Sequence, residues 1–114
     1  MSIKPQIKTD PMYQLLRDGK IAEFNKRKQA GESCDLTHCD FRHLDLREMD
    51  ADGLDMSDSY FHQSDLRGID LRNTRLQGAS INCARISGVY FPAELSADEI
   101  TLSLSHGTRM RYGT

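Results

Sequence analysis

Residues 34–93 read CDLTH CDFRH LDLRE MDADG LDMSD SYFHQ SDLRG IDLRN TRLQG ASINC ARISG VYFPA, which is twelve consecutive units of five residues without an insertion. We number the positions of a unit one to five. The third position is apolar in every unit: Leu36, Phe41, Leu46, Ala51, Met56, Phe61, Leu66, Leu71, Leu76, Ile81, Ile86 and Phe91. In a chain that is 38% hydrophobic, chance does not keep one spacing for this long.

The period of five matches neither common secondary structure, because α-helices repeat near 3.6 residues and β-strands near 2.0. Fixed internal repetition indicates a solenoid, in which each unit packs only on its neighbours. The first position forms a second register of mostly small or apolar residues, from Cys34 and Cys39 to Ala84 and Val89. Residues two apart in an extended segment share a face. The pattern therefore predicts a short inward-facing segment followed by a turn.

Four units carry a resemblance to a known family. Cys-Asp-Phe-Arg-His (39–43), Ser-Asp-Leu-Arg-Gly (64–68), Ile-Asp-Leu-Arg-Asn (69–73) and Ala-Arg-Ile-Ser-Gly (84–88) resemble the units of pentapeptide-repeat proteins. This resemblance implies an all-β solenoid, a right-handed quadrilateral β-helix with four units per coil and about three coils. Short α-helical caps are expected at both ends, because the end coils of a solenoid otherwise expose apolar interior and unpaired edges.

The predicted coils are 34–53, 54–73 and 74–93, and stacking residues twenty apart tests them. The third positions give the columns Leu36/Met56/Leu76, Phe41/Phe61/Ile81, Leu46/Leu66/Ile86 and Ala51/Leu71/Phe91. Every column is apolar, as a dry interior requires. Three consecutive first positions are large (Leu44, Met49 and Leu54), and we expect the small Ala51 beside them to balance the volume.

The chain is predicted to form one domain, with an N-terminal helical cap at 1–33, twelve repeats at 34–93 and a C-terminal cap at 94–114. Asp10-Pro11 predicts the start of a helix that Gly19 ends. A second helix is predicted from about Lys20 to Ala30, ended by Gly31.

In the C-terminal cap, Ser96 and Glu99 form a capping-box pattern, with Leu95 and Ile100 placed for a hydrophobic staple. They predict a helix from Ala97 to about Ser105. The segment from Thr108 to Tyr112 is predicted to fold back on the last coil. The alternative is that this C-terminal segment makes a homodimer, so a monomer and a homodimer both remain open.

Composition indicates a cytoplasmic protein, and the resemblance suggests a bacterial one. No apolar run reaches the length of a membrane span, and the first residues lack a signal-peptide core. Three cysteines do not make a disulfide framework. The formal net charge is −2. The basic run Lys26-Arg27-Lys28 is interpreted as a solvated helix end rather than a contact for an acidic partner, because cations suit the helix C-terminus.

Cys34, His38, Cys39 and His43 offer ligand types that suit zinc. The repeat register argues against a metal site, because the cysteines occupy inward first positions on different faces and the histidines occupy outward corners. Cys83 is predicted to be an exposed thiol. We predict no metal, no cofactor and no enzymatic activity, since a filled solenoid has no cleft in which a nucleophile and a base converge. Turn hydrogen bonds explain the aspartates at the second position better than calcium binding does.

The predicted interaction face combines arginines of the fourth position with aspartates of the second: Arg42, Arg47, Arg67, Arg72, Asp45 and Asp65. The predicted function is that of a protein-interaction scaffold with an unknown partner. The alternative, implied by the resemblance, is a DNA mimic that binds a type II topoisomerase (gyrase) and modulates quinolone sensitivity. Arginines interrupt the acidic columns, which weakens this alternative. Direct nucleic-acid binding is not expected, because no face combines aromatic and basic residues.

Overall fold

The computed structural model of the protein describes residues 5–113. Three helices flank the repeat region: α1 (Pro11–Arg17) and α2 (Ile21–Gln29) precede it, and α3 (Ala97–His106) follows it. The molecule measures 35 × 31 × 25 Å along its principal axes. Within the described part of the chain, no helix is both long and apolar enough to cross a membrane.

The repeat region winds into stacked coils of twenty residues. Parallel bridges join residues twenty apart, so that Asp45 pairs with Asp65 and Asp65 with Arg85. The same offset joins Asp40 to Tyr60, Tyr60 to Ser80, Asp55 to Arg75 and Asp70 to Tyr90. Most units contribute a single bridge residue before the chain turns, so residues 34–93 contain isolated bridges rather than extended strands. The predicted three coils are therefore present, and the strand content is lower than the term all-β suggests.

Four faces result, and we name them by their units. The first face contains 34–38, 54–58 and 74–78; the second 39–43, 59–63 and 79–83; the third 44–48, 64–68 and 84–88; the fourth 49–53, 69–73 and 89–93. At a corner, the third-position carbonyl accepts a hydrogen bond from the next unit's first-position N–H, as Leu46 does from Met49 at 3.1 Å. The fifth position at most corners has a positive φ, which favours glycine.

One corner requires glycine for a further reason. Gly78 has a φ of 79°, and a Cβ atom there would clash with the carboxylate of Asp58. That carboxylate pairs with Arg109 of the tail, and the Arg109 Nε donates to the Gly78 carbonyl at 2.9 Å. His38 Nε2 lies 3.4 Å from the other Asp58 oxygen. This corner therefore links all three coils to the tail.

The core consists of the third-position columns. Phe41 is fully buried and stacks on Phe61 with ring centroids 5.1 Å apart, and Tyr13 of α1 contacts Phe41 edge-on at 5.4 Å. The interior is filled, because the cavity between the coils measures only about 10 Å³. Leu44 and Leu54 are only partly buried. Part of the volume of these large first-position side chains therefore lies outside the interior.

Small polar residues of the first position are buried with their hydrogen bonds made. The hydroxyl of Ser59 donates to the Leu36 carbonyl at 2.7 Å, and that of Thr74 to the Ala51 carbonyl at 2.8 Å. The hydroxyl of Ser64 donates to the Phe61 carbonyl at 2.8 Å. These bonds satisfy groups that would otherwise destabilise a dry core.

The N-terminal helices cover the first coil as predicted. The Asp10 carboxylate accepts hydrogen bonds from the N–H groups of Met12 and Tyr13, and Pro11 occupies the first helical position. α1 buries Met12, Tyr13, Leu15 and Leu16, and α2 buries Phe24. A strand-like contact precedes them, since Gln6 forms a parallel bridge with Cys39. The sequence pattern contained no signal for that bridge.

α3 begins where the capping pattern placed it, but half of the predicted box is wrong. The Ser96 Oγ accepts the Glu99 N–H at 3.2 Å. The Glu99 carboxylate instead binds Arg111, accepting from its Nη2 at 2.9 Å and from its backbone N–H at 2.9 Å. Arg111 supplies a full positive charge, so its hydrogen bonds with the carboxylate are stronger than a hydrogen bond from the Ser96 N–H would be.

The C-terminal segment covers the edge of the last coil along the first and second faces. Gly78 N–H donates to the Met110 carbonyl at 2.7 Å, and Met110 N–H donates to the Ala79 carbonyl at 2.8 Å. Leu76 N–H donates to the Tyr112 hydroxyl, Ile81 N–H to Ser103 Oγ, and Cys83 N–H to the Leu104 carbonyl. Met110 is fully buried. The prediction of a tail folded on its own last coil agrees with this geometry.

Candidate interaction surface

The aspartates of the second position close the turn that follows them. Each of these carboxylates accepts a hydrogen bond from the backbone N–H two residues later, as Asp45 does from Arg47 at 3.1 Å and Asp65 from Arg67 at 3.2 Å. The same bond occurs at Asp35, Asp40, Asp50, Asp55 and Asp70. The aspartate register of the sequence is therefore explained by local turn geometry.

Arginine at the fourth position forms an ion pair with the aspartate of its own unit. Arg47 donates to Asp45 through Nε at 3.0 Å and Nη2 at 2.8 Å. Arg67 binds Asp65 in the same way, at 2.9 and 2.7 Å. Such bidentate pairs hold both side chains in one geometry. The same arrangement joins Arg42 to Asp40 and Arg72 to Asp70.

The third face brings four of the six predicted interaction residues together. Arg47 Nε lies 3.4 Å from Asp65 Oδ2, so the pairs Asp45–Arg47 and Asp65–Arg67 form one network across two coils. Arg42 lies on the second face and Arg72 on the fourth. The prediction of one face with all four arginines is therefore wrong, because a turn follows every unit and adjacent units point in different directions.

A groove adjoins this network. The turn between α1 and α2 stands beside the third face and encloses about 730 Å³ with it. The lining residues are Gly19, Ile21, Ala22, Asp45, Arg47, Glu48 and Arg67. Periodicity contained no signal for the groove, because it depends on where the helical cap rests on the first coil.

A family model described as pentapeptide repeats (8 copies) matches residues 32–68 and 55–91, more than half of the chain. The chain belongs to the pentapeptide-repeat family. No curated protein and no solved structure matches it.

The other charged and reactive groups of this pentapeptide-repeat protein do not converge. In the basic run, Arg27 pairs with Glu32 at 2.6 Å and Lys28 with Asp50 at 3.3 Å. Burial raises the pKa of the Cys39 thiol to about 12. Across residues 5–113, no group of three or more His, Cys, Asp or Glu side chains is placed to hold a metal ion.

Acid is expected to destabilise this pentapeptide-repeat protein through its turn aspartates. The hydrogen bond from Arg67 lowers the pKa of Asp65 to about 2, and the hydrogen bond from Arg72 does the same for Asp70. Both folded-state values lie below the unfolded value of about 3.9. Their stabilising effect is therefore complete above about pH 5 and is lost as the pH falls toward 2. Urea unfolding at pH 7, 4 and 2.5 measures this loss.

The matched control is the double variant Asp65→Asn/Asp70→Asn. Asparagine keeps a side-chain oxygen for the turn N–H but carries no charge. We expect the variant to be less stable at pH 7 and to lose less stability between pH 7 and 2.5. An unchanged pH profile would contradict the assigned role of these carboxylates.

Proposed function

We propose that the chain is a non-enzymatic protein-interaction module that binds its partner through the third face. We also infer that the coils wind as a right-handed quadrilateral β-helix, the form that membership of this family implies. The observation that carries the functional proposal is the Arg47–Asp65 contact at 3.4 Å, which joins two bidentate pairs beside the groove.

The network supports recognition because its side chains are held before a partner arrives. Binding then loses less side-chain entropy than it does at a surface of freely rotating arginines. Each guanidinium is also exposed: the side-chain exposure is 49% for Arg47 and 40% for Arg67. Both can therefore contact a partner while keeping their own aspartates, and the position of the charges supplies specificity.

The filled interior favours a binding role over catalysis. Catalytic groups act in concave sites that exclude water, whereas the cavity between the coils holds only about 10 Å³. The groove on the third face is lined by charged side chains, three of which form ion pairs, and by Gly19, Ile21 and Ala22. Such a surface suits the side chains of another protein.

Charge reversal on the third face tests the proposal. The double variant Arg47→Glu/Arg67→Glu and the wild type are used as bait for affinity capture from host lysate, followed by mass spectrometry. The matched control, Arg42→Glu/Arg72→Glu, reverses the same kind of pair on the second and fourth faces. We expect one partner to be captured by the wild type and the control and to be lost with the third-face variant. Equal loss with both variants, or with neither, would contradict the proposal.

The DNA-mimic alternative lacks a favouring observation. A mimic needs a continuous array of unpaired negative charge, because a duplex carries one charge per about 1.7 Å. Here Asp40, Asp45, Asp65 and Asp70 pair with arginines, and Asp35 and Asp50 pair with Lys8 and Lys28. Capture of a topoisomerase subunit in the experiment above would nevertheless support it.

A further inference from the structure

The third and fourth faces of the last coil present an uncovered edge at residues 84–93. In the earlier coils, third-position N–H groups donate to the following coil, as Leu46 does to Asp65 and Leu66 to Arg85, at 3.0 and 2.9 Å. First-position carbonyls accept from the following coil, as Leu44 does from Asp65 at 2.9 Å.

The corresponding groups of the last coil have no partner within residues 5–113: the N–H groups of Ile86, Gly88 and Phe91 and the carbonyls of Ala84 and Val89. On the first and second faces, the edge of the last coil already pairs with an extended segment of the tail. Met110 exchanges backbone hydrogen bonds with Gly78 and Ala79, as an added strand does. Donors and acceptors of the same ladder therefore remain free on two faces. An unpaired edge of this kind is a template for an extended chain.

The position of α3 favours a single strand over a second copy of the protein as the partner of this edge. α3 begins at Ala97, four residues after the fourth face ends, and its Leu104 carbonyl accepts a hydrogen bond from the Cys83 N–H of the second face. A helix is about 10 Å across, whereas a ladder partner lies about 4.8 Å away. A second copy carries the same helix against its own last coil, so we do not expect two last coils to stack flat within ladder distance.

Charge and polarity define the chemistry of the occupant. Ile86, Val89 and Phe91 are only partly buried, so inward residues of an added strand would contact apolar side chains. Arg85 is exposed and forms no ion pair with any residue between 5 and 113, whereas its column mates Asp45 and Asp65 are both paired. An outward residue stacked on Arg85 is favoured when it is acidic.

We propose that residues 84–88 bind an extended segment of another protein by strand addition. The segment carries an acidic residue that follows a small or apolar residue and precedes an apolar one: its acidic residue lies opposite Arg85, and its backbone pairs with Ala84, Ile86 and Gly88. This site is the edge of the last coil, whereas the groove beside α1 and α2 is lined by residues of the first two coils, the nearest being Arg67.

The test uses a fluorescein-labelled synthetic peptide, SDLRGIDLRN, with the sequence of residues 64–73. Two such units already pair with the third and fourth faces of the first coil, so the peptide has the required pattern. We expect saturable binding in fluorescence anisotropy. Arg85→Glu should weaken it about tenfold, because a favourable cross-strand pair becomes a repulsive one. Arg42→Glu on the second face serves as the matched control and should leave the affinity unchanged.

Amide hydrogen exchange measured by NMR provides the second readout and needs no variant. In the free protein, the N–H groups of Ile86 and Gly88 should exchange much faster than those of Gly78 and Cys83. Saturating peptide should slow exchange at Ile86 and Gly88 specifically. Absence of binding, or binding without that protection, would overturn the proposal. Concentration-dependent protection without peptide would also overturn it, because a second copy would then cover the edge.

Discussion

Replacement of Phe41 by alanine is expected to lower the free energy of unfolding by about 3–5 kcal/mol. The ring is fully buried between Phe61 and Tyr13, with centroid distances of 5.1 and 5.4 Å. Its removal leaves a cavity where α1 rests on the first coil, and the second coil on one side and α1 on the other limit how far the site can collapse. Domains of this size have total free energies of unfolding of about 5–15 kcal/mol, so the variant should lose a large fraction of its stability. Urea denaturation followed by circular dichroism measures the loss.

The control for Phe41 is Ile7→Ala, which shortens an apolar side chain that is 62% exposed. We expect its stability to lie within about 0.5 kcal/mol of the wild type. A loss below about 1 kcal/mol for Phe41→Ala would show that the first coil repacks around the missing ring. It would also show that contact with α1 contributes little to stability.

Deletion of residues 95–114 is expected to cause the chain to aggregate. The truncation removes the partners of four backbone N–H groups of the last coil: Leu76, Gly78, Ile81 and Cys83. It also removes the buried side chains of Leu95 and Met110. The full edge of the coil and its apolar interior then face water, a combination that promotes edge-to-edge association. Size-exclusion chromatography with light scattering measures the result.

Arg111→Ala is the matched control for the deletion, because it perturbs the same tail without exposing the coil. Its side chain is 77% exposed, so its pair with Glu99 is a surface ion pair that contributes little to stability. We expect this variant to remain soluble with nearly unchanged thermal unfolding. A soluble truncation with a wild-type unfolding midpoint would show that the C-terminal segment is not required as a cap.

The coils could be predicted from sequence because each one repeats the same constraint. A single third-position residue such as Leu46 is uninformative, but its neighbours at twenty-residue offsets must all fill the same dry column. The helix ends were equally accessible, since Asp10, Ser96 and Gly107 act on the backbone within a few residues of themselves. The helix ends depend on short stretches of sequence, and the coils depend on a fixed period, so both can be recognised in the sequence.

Contacts between non-repeating segments could not be predicted in this way. The bridge of Gln6 with Cys39, the pairing of Met110 with Gly78 and the binding of Glu99 to Arg111 depend on where a chain end rests on a coil. No periodic pattern fixes that position. The location of Arg42 and Arg72 away from the third face could have been predicted, because twenty-residue stacking already assigns them to other columns.

The pairing of arginine with the aspartate two residues before it has a consequence for how such chains change length. A unit such as Ser-Asp-Leu-Arg-Gly (64–68) contains both members of its ion pair. Duplication or loss of such a unit therefore leaves the net charge of the protein unchanged, and no compensating substitution elsewhere is needed. A coil built from such units adds surface area without adding long-range repulsion. Solenoids of this composition can vary in length across evolution while their isoelectric point stays nearly constant.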